Sequence, residues 1–239
     1  MSKITPYNNS KTKKEQVQAM FDNIAKNYDL LNHTLSAGLH NIWRKKAIQK
    51  LTNNPKTILD IATGTGDFAI SAAKYTNANI TAIDISKNML DLGIKKSSNK
   101  KLEKRVTFKV ADAENLPFDK NKFDAITVGF GVRNFENLTK GLDEIYRVLS
   151  EDGIIVILEP SIPKLFPLKQ IYYIYFNYLL PNIGYIISGD KNAYKYLPES
   201  VKNFPSGKKF INKLEKAGFK NCKHLYLSFG IISLYIAIK

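Results

Sequence analysis

From Lys56 onward, short apolar runs of β character alternate with stretches whose apolar residues recur every three or four positions. The runs at 57–61, 79–84, 105–110, 124–129 and 153–159 read as strands. The stretch running to Tyr75, the stretch through Met89, Leu90 and Ile94, and residues 137–150 read as helices. Strand, helix and strand in succession imply right-handed crossovers, which make the strands parallel and bring their carboxyl ends to one rim. Ahead of this core, residues 15–32 carry Val17, Met20, Phe21, Ile24, Tyr28 and Leu31 at helical spacing, and a second helix is expected over 39–51. After Glu159 the alternation stops until a helix at 207–217. Two adjacent runs follow, 219–229 and 231–238, with only a short turn at Gly230 between them, so they pair antiparallel. The pattern predicts an α/β fold: a mostly parallel seven-stranded sheet with one antiparallel strand at its far side and helices on both faces. A single domain is expected, with a helical cap (15–51), a core (57–159), an insertion (160–205) and a final helix with its strand pair (206–239).

The insertion has no regular alternation, and its centre, residues 170–189, contains no charged residue. Its length would permit a membrane span. Against a span stand Gln170, Asn177, Pro181, Asn182, Gly184 and Ser188, together with tyrosines at 172, 173, 175, 178 and 185. Tyrosines and apolar residues flanked by Lys164, Lys169 and Lys191 suit a lid over an apolar substrate, or a surface lying at the lipid headgroups.

A chain of 239 residues with 44% hydrophobic content can bury a full core. The net charge of +15 is carried by 32 Lys and only 4 Arg, spread along the chain. A polyanion, whether an anionic membrane leaflet or a nucleic acid, is a natural partner for such a surface, and charge alone does not choose between them. The single Cys222 excludes an intrachain disulfide and a multi-cysteine metal site, fits a reducing cytoplasm, and is expected as a packed residue of a late strand. Residues 1–14 have no apolar run and read as a polar start, not a signal peptide.

The candidate chemistry gathers at residues 57–67, Thr-Ile-Leu-Asp-Ile-Ala-Thr-Gly-Thr-Gly-Asp, where a strand breaks into a glycine turn and then a helix. Gly64 and Gly66 permit backbone geometry that brings the turn close to a nucleotide-like ligand, and the helix end presents free N–H groups. With Ala69 as third member the stretch satisfies G-x-G-x-x-G/A, and Asp84 follows where a ribose-binding acid belongs. The turn alone does not separate NAD from S-adenosylmethionine, but the second mononucleotide half of a dehydrogenase is missing. Asp60 closes the first strand, where a carboxylate can attract a sulfonium, directly or through water. Asp112 and Ala113, after the third strand, can meet an adenine edge.

Residues 63–67 (Thr-Gly-Thr-Gly-Asp), 111–118 (Ala-Asp-Ala-Glu-Asn-Leu-Pro-Phe) and Phe123-Asp124 resemble successive motifs of class I S-adenosylmethionine methyltransferases. Further stretches narrow the resemblance. Residues 20–32, 43–46, 129–134 (Gly-Phe-Gly-Val-Arg-Asn), 146–149, 158–160, 194–200 and 217–219 resemble the UbiE/MenG quinone C-methyltransferases over nearly the whole chain. The resemblance implies S-adenosylmethionine as methyl donor, no metal, and a ring carbon of a reduced polyprenyl quinone as acceptor. Demethylmenaquinol is expected first; a ubiquinone-pathway benzoquinol is the alternative, and an RNA or protein methyltransferase a more distant one. No nucleic acid is expected, contact with the membrane surface is expected to be transient and at its inner face, and the oligomeric state stays open.

The family's cofactor threonine falls on Thr65, its ribose acid on Asp84 and its adenine-side pair on Asp112 and Ala113; with Asp60, Thr63, Gly64 and Gly66 of the turn they make up the expected cofactor-binding set. Many members have Ser where this chain has Gly129, so a hydroxyl contact there is lost or made by backbone. Arg133, one of four arginines, is the first candidate to stabilise phenolate charge, with a structural ion pair as its alternative. Tyr28 and Asp29 could relay a proton to the substrate hydroxyl, and His33 is a reserve base.

Overall fold

The computed structural model describes residues 4–7 and 9–239. Helix α1 (Lys13–Leu35) starts two residues before the span read from the apolar pattern, because its first turn is fixed by polar groups. The Thr12 hydroxyl accepts from the Glu15 N–H, and the Glu15 carboxylate accepts from the Thr12 N–H, a reciprocal cap that satisfies two donors at the helix start. Lys13 and Lys14, read from sequence as part of the polar start, therefore belong to this helix. Helix α2 (Leu39–Ile48) follows after a turn at Gly38.

The core then runs β1 (Thr57–Ile61), α3 (Asp67–Tyr75), β2 (Asn79–Asp84), α4 (Lys87–Asn99), β3 (Val106–Val110), β4 (Phe123–Gly129), a 3-10 turn (Val132–Asn134), α5 (Leu138–Val148) and β5 (Leu149–Pro160). Helix α5 ends earlier than its apolar pattern because Leu149 is already paired with Phe123 in the sheet. The insertion folds as α6 (Leu168–Ile174), a π-helical turn (Tyr175–Leu179), α7 (Leu180–Ser188) and α8 (Lys191–Asn203). Helix α9 (Lys208–Lys216), β6 (Lys220–Leu227) and β7 (Ile232–Ile238) complete the chain.

The seven strands lie in the order β3-β2-β1-β4-β5-β7-β6, and only β7 runs against the rest. The reversed strand is thus one place in from the edge, between β5 and β6. Side chains on β5 alternate between the two faces: Ile155 and Ile157 join the core under α5 and α9, while Ile154, Val156 and Leu158 join the core under α2 and α3. Cys222 is half-buried on β6 against the first of these cores, and burial pushes its thiol up to about 11.

A third apolar cluster joins α1 to the insertion through Met20, Ile24, Leu31, Leu180, Tyr194 and Tyr196. Polar ties fix the same junction: Tyr175 Oη donates to Leu35 O at 2.8 Å, Asn27 Nδ2 to Ile187 O at 2.8 Å, and Tyr7 Oη to Asp190 at 2.5 Å. Among the described residues no helix is long and apolar enough to cross a membrane. The uncharged stretch instead turns back at Gly189 and lies over the carboxyl ends of the strands, beside α1.

Candidate active site

The turn after β1 takes positive φ at every second residue, Ala62 (52°), Gly64 (56°) and Gly66 (79°), and so curls its backbone under the strand ends. Asp84, the last residue of β2, accepts from the Gly64 N–H and the Ser86 N–H, each at 2.9 Å. These bonds lock the carboxylate across the turn, while burial raises its pKa. Gly64, Asp84, Asp112, Ala113 and Gly129 line one cavity, together with Ile85 and Met89. Asp112 is fastened there by Lys14, whose ammonium is 2.6 Å from Oδ2 and 3.7 Å from Glu114. A Cβ on Gly129 would meet Phe68 Cδ1 at 2.8 Å, so the Phe68 ring fills the place where the resemblance led to the expectation of a serine side chain.

Four of the expected cofactor residues lie beneath this cavity rather than in its wall. Asp60 is fully buried and accepts from the hydroxyls of Thr63 (2.5 Å) and Thr127 (2.6 Å), and its pKa is raised to about 6 by burial. Its carboxylate therefore holds the turn and the neighbouring strand, and Thr63 is consumed in the same contact. Gly66 is required by space as well as by its φ: a Cβ would meet Phe108 Cε1 at 2.8 Å. Thr65 points the other way, donating to Asp29 Oδ1 at 2.6 Å and accepting from Lys96 at 3.0 Å.

That last contact also corrects the place of Asp29. Its other oxygen takes the Lys96 ammonium at 2.9 Å, and it lines neither cavity, so it ties α1 to the glycine turn instead of reaching the acceptor. Lys96 continues to Asp67, Asp67 pairs with Arg44 at 3.3 Å, and Arg44 hydrogen-bonds His40. Burial works against charge on Asp67, yet Arg44 and Lys96 hold its carboxyl below the usual range. His33 is exposed and meets His40 edge-on, outside the cavity wall.

A second cavity, about 260 Å³ against about 70 Å³ for the first, opens between α1, α2 and the insertion. Its wall is mostly aliphatic and aromatic, with Trp43, Tyr172, Phe176, Tyr194 and Tyr196 prominent. Phe21, Tyr28, Phe130 and Asn134 line both cavities, so the two meet at these residues. Tyr28, with its pKa raised by burial, keeps its phenol proton at this junction. Arg133 lines the apolar cavity from the 3-10 turn. Its Nη1 contacts Phe130 O and lies 2.9 Å from Glu159 Oε2, and its Nε donates to Ser200 at 3.3 Å. Nη2 has no hydrogen-bond partner among the described residues. The anticipated ion pair thus exists, and one edge of the guanidinium is left over.

Sequence reasoning assigned no role to Glu159, Asn134 or the Lys13-Lys14 pair. Glu159 is fully buried at the end of β5 and receives Arg133 through both side chain and backbone. Asn134 Oδ1 accepts from Tyr196 at 3.1 Å. Lys13 donates to Arg133 O and Phe135 O, so the start of α1 is clamped across both cavities. Glu159 and Asn134 stood inside resemblance motifs, which was a usable signal.

The reversed β7, the glycine turn and an acid closing β2 beside it define the class I methyltransferase fold, whose cofactor is S-adenosylmethionine. The lining suits that molecule: a carboxylate locked at the turn, and an acid-lined apolar slot at Asp112 and Ala113. A putative S-adenosyl-L-methionine-dependent methyltransferase from Methanococcus maripaludis has the same fold, with TM-score 0.69 at 23% identity over 98% of this chain and 96% of that one. The model of the ubiE/COQ5 methyltransferase family matches residues 9–239, and the chain belongs to that family. It is 47% identical to the demethylmenaquinone methyltransferase of Bacteroides fragilis, covering 99% of this chain and 98% of the relative. It is 44% identical to the ubiquinone/menaquinone biosynthesis C-methyltransferase UbiE of Citrifermentans bemidjiense, over 95% and 97%.

Proposed function

We propose that the protein transfers the methyl group of S-adenosylmethionine to a ring carbon of a reduced polyprenyl quinone, with demethylmenaquinol as the acceptor. The observation that carries this reading is the junction of an acid-lined cavity beside the glycine turn with a larger apolar one at Tyr28, Phe130 and Asn134. Bound in the first, the cofactor supplies an electrophilic methyl group. The chain must then place an electron-rich ring against that junction and raise its nucleophilicity.

A hydroquinone carbon attacks when phenolate charge on the neighbouring oxygen reaches it, so stabilising that charge lowers the barrier. Arg133, which lines the apolar cavity and whose Nη2 has no partner among the described residues, is the group suited to this; Glu159 fixes its position. Tyr28, a protonated phenol at the junction, is placed to hydrogen-bond the same oxygen. The apolar wall excludes water and takes the start of the isoprenoid tail.

Outside the cavity, the insertion exposes Leu165, Ile171, Tyr173, Ile174 and Tyr178, with Phe166 and Ile186 more than 80% exposed. Lys164 and Lys169 flank these side chains. This apolar, lysine-edged surface beside the cavity supports resting the protein on an anionic membrane face, from which the tail enters.

The demethylmenaquinone methyltransferase of Porphyromonas gingivalis, 42% identical over 99% of this chain, adds to the preference for demethylmenaquinol. Extraction of isoprenoid quinones from cells lacking the protein tests the assignment. A menaquinone lighter by one methyl is expected; a benzoquinone lighter by one methyl would favour the ubiquinone-pathway acceptor, and an unchanged pool would remove both.

A further inference from the structure

Among the described residues, three buried side-chain polar atoms lack any hydrogen-bond partner: His40 Nε2, Tyr172 Oη and Ser97 Oγ. Ser97 is on α4, away from both cavities, but His40 and Tyr172 line the same apolar cavity, and each is only 7% exposed. An unpaired buried donor is rare because its desolvation is not offset. Two such side chains stand in the wall of one cavity.

Their protonation follows from their neighbours. Arg44 Nη1 is hydrogen-bonded to His40 Nδ1, and a guanidinium has donors only, so Nδ1 is the acceptor. Burial first, and the Arg44 charge second, lower the His40 pKa to about 4, so the ring is neutral and its proton sits on Nε2. Tyr172 is driven the other way by burial, which keeps its hydroxyl protonated. Both orphan atoms are therefore donors. They also lie in different fields: Tyr172 feels Arg133, whereas His40 feels Arg44 and Asp67.

Resting on the quinol reading above, we propose that these two donors hold the two oxygens of the acceptor ring. Tyr172 joins Arg133 at one oxygen and His40 Nε2–H takes the other. The site then selects a ring oxygenated at two positions and fixes which carbon faces the junction. The chain Asp67–Arg44–His40 links this contact to the first residue of α3, directly after the glycine turn.

Trp43, the single tryptophan, lines the same cavity, so its quenching by 2-geranyl-1,4-naphthoquinone reports ring binding without methyl transfer. Tyr172→Phe removes only the hydroxyl. His40→Asn retains an amide oxygen for Arg44 but has nothing at Nε2, whereas His40→Gln can place an amide N–H there. Loss of one hydrogen bond is expected to weaken naphthoquinone binding about tenfold in Tyr172→Phe and His40→Asn, with His40→Gln nearer the wild type. A geranylnaphthalene without ring oxygens should bind wild type and variants alike. Tyr172→Phe should melt no lower than the wild type, because the deleted hydroxyl had no partner to lose.

The proposal is overturned by unchanged naphthoquinone affinity in Tyr172→Phe and His40→Asn, by an equal loss for the oxygen-free ligand, by a lower melting temperature of Tyr172→Phe, or by absence of quenching in the wild type. If the quenching pattern holds while the wild type methylates no quinol, the functional reading fails and the assignment of these donors stands. If methylation proceeds and the variants bind normally, the assignment alone falls.

Discussion

At Arg133, a structural and a chemical demand meet in one guanidinium. Nη1 compensates the buried Glu159, and in the proposed mechanism Nη2, without a partner among the described residues, takes the acceptor. Burial raises the Glu159 pKa while the Arg133 charge opposes the rise, so the pair is held together by its surroundings. Arg133→Ala alone should lower stability by about 3–5 kcal/mol, the usual penalty for stranding one partner of a buried pair. In a Glu159→Gln background that penalty should largely vanish, while turnover stays low and S-adenosylmethionine affinity stays near normal. Melting curves and kcat measured across the four proteins check this; recovery of turnover along with stability would make Arg133 purely structural. The acids at strand ends were legible in the sequence because strand periodicity places them, but their roles were not. Asp60 and Asp84 close neighbouring parallel strands, and only the structure reveals that the hydroxyls of Thr63 and Thr127 consume the first while the second borders the cavity. Asp29 likewise could be placed on α1 by spacing, but its direction depends on Lys96, sixty-seven positions away.

Elements with one apolar face announced themselves, and the alternation of β1 to β5 with α3 to α5 was readable because each helix covers the sheet on one side only. The insertion was not readable in the same way. The stretch from α6 through the π-helical turn into α7 is apolar nearly all round, since Tyr172, Tyr175, Phe176 and Leu180 face the cavity while Ile171, Tyr173, Ile174 and Tyr178 face outward. With no polar stripe, periodicity has nothing to detect. Helices α7 and α8 depend on one close approach: a Cβ on Gly184 would lie 2.2 Å from Tyr194 Cγ. Gly184→Ala gains about 1 kcal/mol of helix propensity but must displace a ring that lines the apolar cavity, an overpacking that costs about 1–3 kcal/mol. The expected outcome is a raised KM for the quinol with an unchanged KM for S-adenosylmethionine. Equal changes in both would mean that the packing fault spreads into the sheet.

For the whole molecule, charge and apolar surface have to be considered together. The net charge of +15 is spread over the chain, whereas ten of the nineteen large exposed apolar side chains among the described residues lie on the insertion, the other nine being scattered over the rest of the chain. A long-tailed quinol is held in lipid, so a cavity roofed by this insertion serves best when the insertion rests at the headgroups. Lysines near an anionic leaflet each contribute about 1 kcal/mol, and the attraction is screened over about 8 Å at physiological salt. The protein should therefore float with vesicles containing anionic lipid, stay behind with neutral ones, and be released progressively as salt rises. Replacing Phe166 and Ile186 together by Ser should weaken flotation at every salt concentration while leaving S-adenosylmethionine binding intact, because both side chains lie outside the cavities. Binding that ignores lipid charge and persists through high salt and alkaline carbonate would require deep insertion of this segment, and the surface-resting arrangement would be wrong.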